Sequence, residues 1–239
     1  MVLSDSSIKE LCTQKMNTAW AGVNPYYYTN WSELVDSGKI GESSDGVETH
    51  HSMNKVQRQI HCPKPMIEPF FDHLVKTDDQ GNRIISYGLS SYGYDIRLST
   101  EFRLFTKPND GRVVDPKNPN HDEFSERVVA DEIVVPPGAL LLGCSVETFC
   151  IPRDILAECV GKSTMARCGA LVNVTPLEPE WEGQLVIELT NGGTTPLKVY
   201  ANEGIAQLIF HVGDKTCVTS YGDRDGKYQH QRGVVGSRV

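Results

Sequence analysis

The sequence predicts a mainly β protein of the barrel or jelly-roll kind, on three observations. From residue 83 onward the chain is filled by short β-branched and aromatic runs separated by turn signals. Several runs alternate strictly: in Gln184 to Thr190, Leu185, Ile187 and Leu189 point to one face and Val186, Glu188 and Thr190 to the other. No repeat with a period of about 20 to 50 residues is visible, so the pattern belongs to one continuous fold.

The elements follow in order. Ser7-Ile8-Lys9-Glu10 has capping-box spacing and Ile8, Leu11 and Cys12 recur at i, i+3 and i+4, which predicts a short helix within residues 1–16. Residues 17–65 turn polar and turn-rich, in NPYYYTNW, SGKIGESSDG and ETHHSMN, and read as an insertion. Trp20, Tyr26, Tyr27, Tyr28 and Trp31 offer apolar area to bury there, which favours irregular structure over disorder. The runs RIISYG, YDIRL, EFRLF, RVVADEIVV, ALLLG, ILAECVG, ALVNV, QLVIELT, LKVY and IAQLIFHV then supply the strands of a core spanning 66–220. Residues 221–239 are rich in Gly, Gln, Lys and Arg, lack a core-forming pattern, and read as a flexible arm.

At 239 residues the chain suits one domain of larger than average size, and 39% hydrophobic residues are enough to build its core. The net charge of −8, with no long Lys/Arg stripe, removes duplex nucleic acid as a partner, so any phosphate must be held by a few placed groups. The longest apolar stretch, Ile133 to Val146, is interrupted by Pro136, Pro137 and Gly138 and falls short of the roughly 20 residues a membrane helix needs. Asp5, Lys9 and Glu10 stand where a secretory signal requires an unbroken apolar region, so a cytoplasmic protein is expected. The seven cysteines include no C-x-x-C pair and are expected to be reduced thiols, without structural zinc.

The strongest local signal is Gly161-Lys162-Ser163-Thr164-Met165-Ala166-Arg167, lying between two β-runs. A Gly-led turn, two hydroxyls and two cations make a phosphate cradle. The GKST run imitates the end of a Walker A loop, but Leu156 stands where that motif requires Gly, so the P-loop reading fails on spacing. Read alone, Ser163 and Thr164 could also cap a short helical turn. Glu188, an acid within an alternating strand, could equally be an ordinary exposed strand carboxylate.

The run VGKSTMARCGALVNVTPLEPEWEGQLVIELTN, followed by LKVYANEGIAQLIF and YGDRDGKYQHQRG, resembles the dCTP deaminase family; SSYGYDIR at Ser90 to Arg97 and IPRDILAECVGKS agree with it. The resemblance runs from Met66 to about Gly233. It implies a homotrimer of distorted β-barrel subunits of the dUTPase-like type, with active sites shared between neighbours, that hydrolyses dCTP to dUTP and ammonia. Zinc-dependent nucleobase deaminases carry H-x-E and P-C-x-x-C; His121-Asp122-Glu123 meets the first half but the chain has no PCxxC, as a zinc-free family requires.

Residue by residue, the resemblance makes Glu188 the carboxylate that takes a proton from water and delivers it to the base, with Arg167 and Ser163 positioning that water. Lys162, Ser163, Thr164, Met165, Ala166 and Arg167 form the triphosphate loop. Val186 and Ile187 present backbone groups to base or sugar, Gln207 reaches the nucleotide, and Thr175 and Glu178 shape the pyrimidine and deoxyribose pocket. Tyr221, Lys227 and Gln231 belong to an arm that folds over the triphosphate, which Mg²⁺ accompanies, meeting phosphate oxygens and water more than protein ligands. The family's feedback inhibitor dTTP is an expected second ligand. Glu178 stands where related dUTPases carry the acid that activates water against the α-phosphate, so a bifunctional enzyme releasing dUMP and pyrophosphate is one alternative. A catalytically silent trimeric nucleotide sensor, engaging a partner through residues 17–65, is another.

Overall fold

The predicted runs become strands whose pairing is antiparallel throughout. The structure, a computed structural model, describes residues 1–13, 64–105, 113–119 and 121–238. The expected insertion at 17–65 therefore lies outside the described residues except for its last two.

In chain order the elements are α1 (Asp5–Thr13), β1 (Ile67–Glu68), β2 (Leu74–Thr77), β3 (Arg83–Ser90), β4 (Gly93–Phe105), α2 (His121–Phe124), β5 (Glu126–Val129), β6 (Glu132–Val135), β7 (Leu140–Cys150), β8 (Ile155–Gly161), α3 (Ser163–Arg167), β9 (Ala170–Asn173), β10 (Glu182–Asn191), β11 (Leu197–Tyr200) and β12 (Gly204–Val212). Ten strands share one sheet along the path β2-β3-β4-β7-β10-β9, with β1 on β7, β5 on β4, and β12 bridging β4 to β8. Strands β6 and β11 form a separate two-stranded sheet. The protein is mainly β, as the alternation predicts.

Two expected runs merge and one divides. YDIRL and EFRLF lie on the single 13-residue strand β4, whose inner half pairs with β12 and whose outer half pairs with β7 and β5. RVVADEIVV breaks at Ala130 because β5 joins the large sheet whereas β6 pairs with β11. The core forms between the inward rows: Tyr94, Ile96, Leu98 and Phe102 of β4 are fully buried, as are Phe149 of β7 and Phe210 of β12. In β10 the expected inward row of Leu185, Ile187 and Leu189 is buried. Val186 on the other face is buried as well, at a register shift between Gln184 and Val186, so both faces of this central strand are covered.

Helix α1 buries Ile8 and Cys12 against this core. The residues before it are tied to β12, where the Leu3 amide donates to the Phe210 carbonyl at 2.9 Å and Val2 bridges to His211. Among the described cysteines, one departs from expectation. Cys150 is disulfide-bonded, while Cys12, Cys144, Cys159, Cys168 and Cys217 are free. Dispersed spacing cannot report such a bond, because a disulfide is set by the fold and not by the interval between cysteines. No described helix is long and apolar enough to cross a membrane.

Candidate active site

Strand β10 places Glu188 between Leu142 of β7 and Asn173 of β9, so hydrogen-bonded neighbours flank it on both edges and its backbone is fixed. Its carboxyl lines a cavity of about 840 Å³, a size that suits a nucleotide. The cavity wall also carries Thr175, Glu178, Val186, Tyr221, Lys227 and Gln231 from the expected set. Leu142, Leu177, Trp181 and Leu185 make the rest of this wall largely apolar.

Burial pushes the Glu188 carboxyl up from 4.5 to about 7, opposed only by a backbone hydrogen bond. Among the described residues no cation offsets that push, and desolvation sets the value. Cys159 on β8 feels its charge: burial first, and then the Glu188 charge, push that thiol up to about 12.

The tail closes one end of the cavity. The Tyr228 amide donates to the Tyr221 hydroxyl at 3.0 Å and the Trp181 indole donates to the Tyr228 carbonyl at 3.1 Å. Gly226 is packed against the Tyr221 ring so closely that any side chain there would enter it. Gln231 is buried, its amide donates to the Gln184 carbonyl at 2.8 Å, and Gly233 returns a bond to the Gln184 side chain at 2.9 Å. Residues 221–238 thus lie docked on the start of β10. Arg153 anchors their root: its guanidinium meets Glu180 at 2.8 Å and Asp223 at 2.5 Å, and donates to the carbonyls of Cys217 and Val218. Glu178 is paired with Arg224 at the cavity rim, and the Lys227 ammonium donates to the Arg238 carbonyl at 3.0 Å.

The remaining expected residues gather elsewhere. In α3, Met165 is buried while Ser163, Thr164, Ala166 and Arg167 are exposed. The capping alternative does not describe this turn, since the N-cap position is Lys162 and it makes no side-chain cap bond. Lys162 instead turns inward to pair with Asp95 of β4, which also accepts a hydrogen bond from the Gln207 amide at 3.0 Å. Lys162 to Arg167, Ile187 and Gln207 are not part of the cavity wall around Glu188. One chain therefore carries two separate clusters, a carboxylate cavity and a cationic turn.

Sequence reasoning gave no role to Asp95, Arg153 or Arg224. Asp95 was visible within SSYGYDIR, but its link to Lys162 spans 67 residues and only the sheet reveals it. The H-x-E half-match has a local explanation. His121 accepts from the Ser237 amide at 2.9 Å, and Asp122 pairs with the buried Arg103 at 2.9 Å. Among the described residues no group of three or more His, Cys, Asp or Glu is placed to hold a metal ion.

Comparison with known proteins gives these positions a family. Residues 56–213 match the dCTP deaminase-like family model. The dCTP deaminase of Acidobacterium capsulatum is 53% identical over 172 residues, covering 72% of this chain and 90% of that protein. Those of Methylococcus capsulatus and Chlamydia caviae are 50% identical over 190 residues and 54% identical over 183, covering 80% and 76% of this chain and 97% and 95% of theirs. A match of this depth and extent means that the chain belongs to the dCTP deaminase-like family.

Proposed function

We propose that the protein is an enzyme that hydrolyses dCTP to dUTP and ammonia, with Glu188 as the proton-transfer group. The observation that carries this reading is a rigidly held carboxyl on the wall of a nucleotide-sized cavity, raised to about 7 by burial and without a neutralising cation among the described residues. Such a group is ionised often enough to take a proton from water and acidic enough to give it back. Water oxygen bonds to C4 of cytosine as Glu188 removes its proton. The same proton passes to N3, and the second water proton reaches the exocyclic nitrogen as the C4–N bond breaks. One water enters, one ammonia leaves, and the carboxylate is restored.

The cationic turn completes this site from a neighbouring copy in a homotrimer of distorted β-barrels. Arg167 and Ser163 then hold the water, and the loop from Lys162 to Arg167 holds the triphosphate. That arrangement explains why Glu188 and Arg167 occupy separate clusters within one chain. Val186 and Ile187 offer backbone groups to base or sugar, Thr175 and Glu178 shape the pyrimidine and deoxyribose pocket, and Gln207 reaches the nucleotide. Tyr221, Lys227 and Gln231 hold the arm of residues 221–239 closed over bound nucleotide, excluding water. Magnesium enters as part of the substrate, bound to phosphate oxygens. The same pocket takes dTTP as an inhibitor, and the enzyme works in the cytoplasm. Pairing of Glu178 with Arg224 favours dUTP as the end product, because the guanidinium occupies a carboxylate oxygen that would otherwise take up a water.

Incubation of the purified protein with dCTP and Mg²⁺, with ammonia measured and nucleotides resolved by chromatography, tests the reading. Ammonia and dUTP in equal amounts are expected. Pyrophosphate with dUMP would replace it by the bifunctional reaction, and unchanged dCTP would sink it.

A further inference from the structure

Asp95 is a buried carboxylate, 4% exposed, that the deamination chemistry leaves unused. One of its oxygens is ion-paired with the Lys162 ammonium, whose side chain is itself only 13% exposed. The other accepts from the Gln207 amide at 3.0 Å. That amide also donates to the Ser90 hydroxyl at 3.1 Å, and Ser90 in turn donates to the Gly93 carbonyl at 3.1 Å. Lys162 of the triphosphate loop after β8 and Gln207 of β12, assigned to the nucleotide, thus converge on one acid from β4.

Stability is a poor reason for this arrangement. Taking two charges out of water costs much of what their attraction returns, and a buried ion pair is often replaceable by apolar groups without loss. Preorganisation is the better reason. An ammonium has three donors, so Lys162 can spend one on Asp95 and still present two to phosphate oxygens. Both amide hydrogens of Gln207 are taken, by Asp95 and Ser90, which fixes the way its carbonyl points. A flexible lysine held in place loses less freedom when the phosphates arrive.

We propose that Asp95 is the positioning residue of the triphosphate end: through Lys162 and Gln207 it sets how strongly the β- and γ-phosphates are held, without touching the reacting base. This rests on the dCTP deaminase reading. It assigns Asp95 to discrimination between nucleoside triphosphate and monophosphate.

The test is calorimetric binding of Mg-dCTP and of dCMP to full-length protein in which Glu188→Gln stops turnover, with and without Asp95→Asn. The expected result is an affinity for dCTP lower by about tenfold, the worth of one charge-assisted contact, with dCMP changed less than about twofold. In steady state with Glu188 intact, KM for dCTP rises about tenfold while kcat stays within about twofold. In a Lys162→Ala background Asp95→Asn adds no further loss, because the two act as one unit. Equal losses for both nucleotides, no loss, or tighter dCTP binding would each overturn the proposal. The last would make Asp95 a plain negative charge near the phosphates. Should Asp95→Asn not fold, Asp95→Asn with Lys162→Met removes both buried charges and must show the same selective loss of dCTP. Ammonia release by the unsubstituted protein tests the underlying reading separately. With that activity present and the dCTP-to-dCMP affinity ratio unmoved by Asp95→Asn, the role of Asp95 alone falls.

Discussion

Two glutamates on neighbouring strands, Glu147 of β7 and Glu188 of β10, are both drawn out of water and end in opposite situations. Glu147 is fully buried, and Arg97 satisfies both its oxygens, with Nε at 2.7 Å from one and the backbone amide at 3.0 Å from the other. The Arg97 guanidinium is in turn stacked over Phe71 and Tyr87. Burial pushes Glu147 up and Arg97 opposes it. Glu188 feels the same push without an opposing cation, and it opens onto a cavity. Burial with a partner builds structure, whereas burial without one leaves a carboxyl poised for proton transfer. The difference is visible only in three dimensions, since in the sequence each residue is an acid within a β-run.

The sharpest way to break this contrast is to neutralise each acid. Glu188→Gln is expected to lower turnover by at least about 10³-fold, because one group serves both proton transfers, while dCTP binding stays within a few-fold. Ammonia release and calorimetric titration of the variant check the two halves. Glu147→Gln should act the other way. It leaves Arg97 charged and unpaired in the core, at a cost of about 3–5 kcal/mol, on the order of 10 °C in Tm for a chain of this size. Thermal melts measure this loss, and the folded fraction should keep its kcat. A Glu147 variant that melts normally but loses turnover would reverse the two roles.

The pH behaviour of Glu188 sharpens the contrast next. The carboxyl must be ionised to accept a proton from water, so kcat/KM is expected to fall as pH drops through about 7. Stability runs in the opposite sense. The folded pKa lies above the unfolded one, so the folded chain binds more protons between pH 4.5 and about 7. Its contribution is full below 4.5 and lost as pH rises through about 7. Glu188→Gln removes that loss, so its Tm should exceed that of the unsubstituted protein at pH 8 and match it at pH 4.5. An equal Tm difference at both values would show that the burial of Glu188 is not what tunes it.

Much of the scaffold around these acids was legible, for identifiable reasons. Leu185, Ile187 and Leu189 announce β10 because one residue in two must face the core. Strand β1, two residues long, and β2, four, were not legible: Ile67 and Glu68 are strand only because Phe149 and Thr148 pair with them. Ser99 and Thr100 looked like a break within β4, but the change of sheet partner there bends the strand without ending it. The site divides in the same way. Glu188 and the Lys162–Arg167 turn stand out in the sequence, the acid through the family resemblance and the turn through its Gly, hydroxyls and cations. Asp95, Arg153 and the Glu178–Arg224 pair are contacts between distant segments, and no local pattern encodes them.

The smallest expected effect comes from giving Glu188 a side-chain donor, which it lacks among the described residues. Cys159 is a weak donor, and its thiol stays protonated because burial and the Glu188 charge both oppose ionisation. Cys159→Ser places a hydroxyl in the same volume. A hydroxyl that donates to the carboxylate favours its charged form, so the acid limb of kcat/KM should move below 7 by less than about one unit. Cys159→Ala removes the donor altogether and should leave the limb unmoved or slightly higher. The rate at pH 6 therefore rises a few-fold in the serine variant alone, measured as ammonia release across pH 5.5 to 8.5. Parallel shifts in both variants would mean that water enters the space left by sulfur. Glu188 would then owe its value near 7 to exclusion of water, with hydrogen bonding from β8 a minor influence.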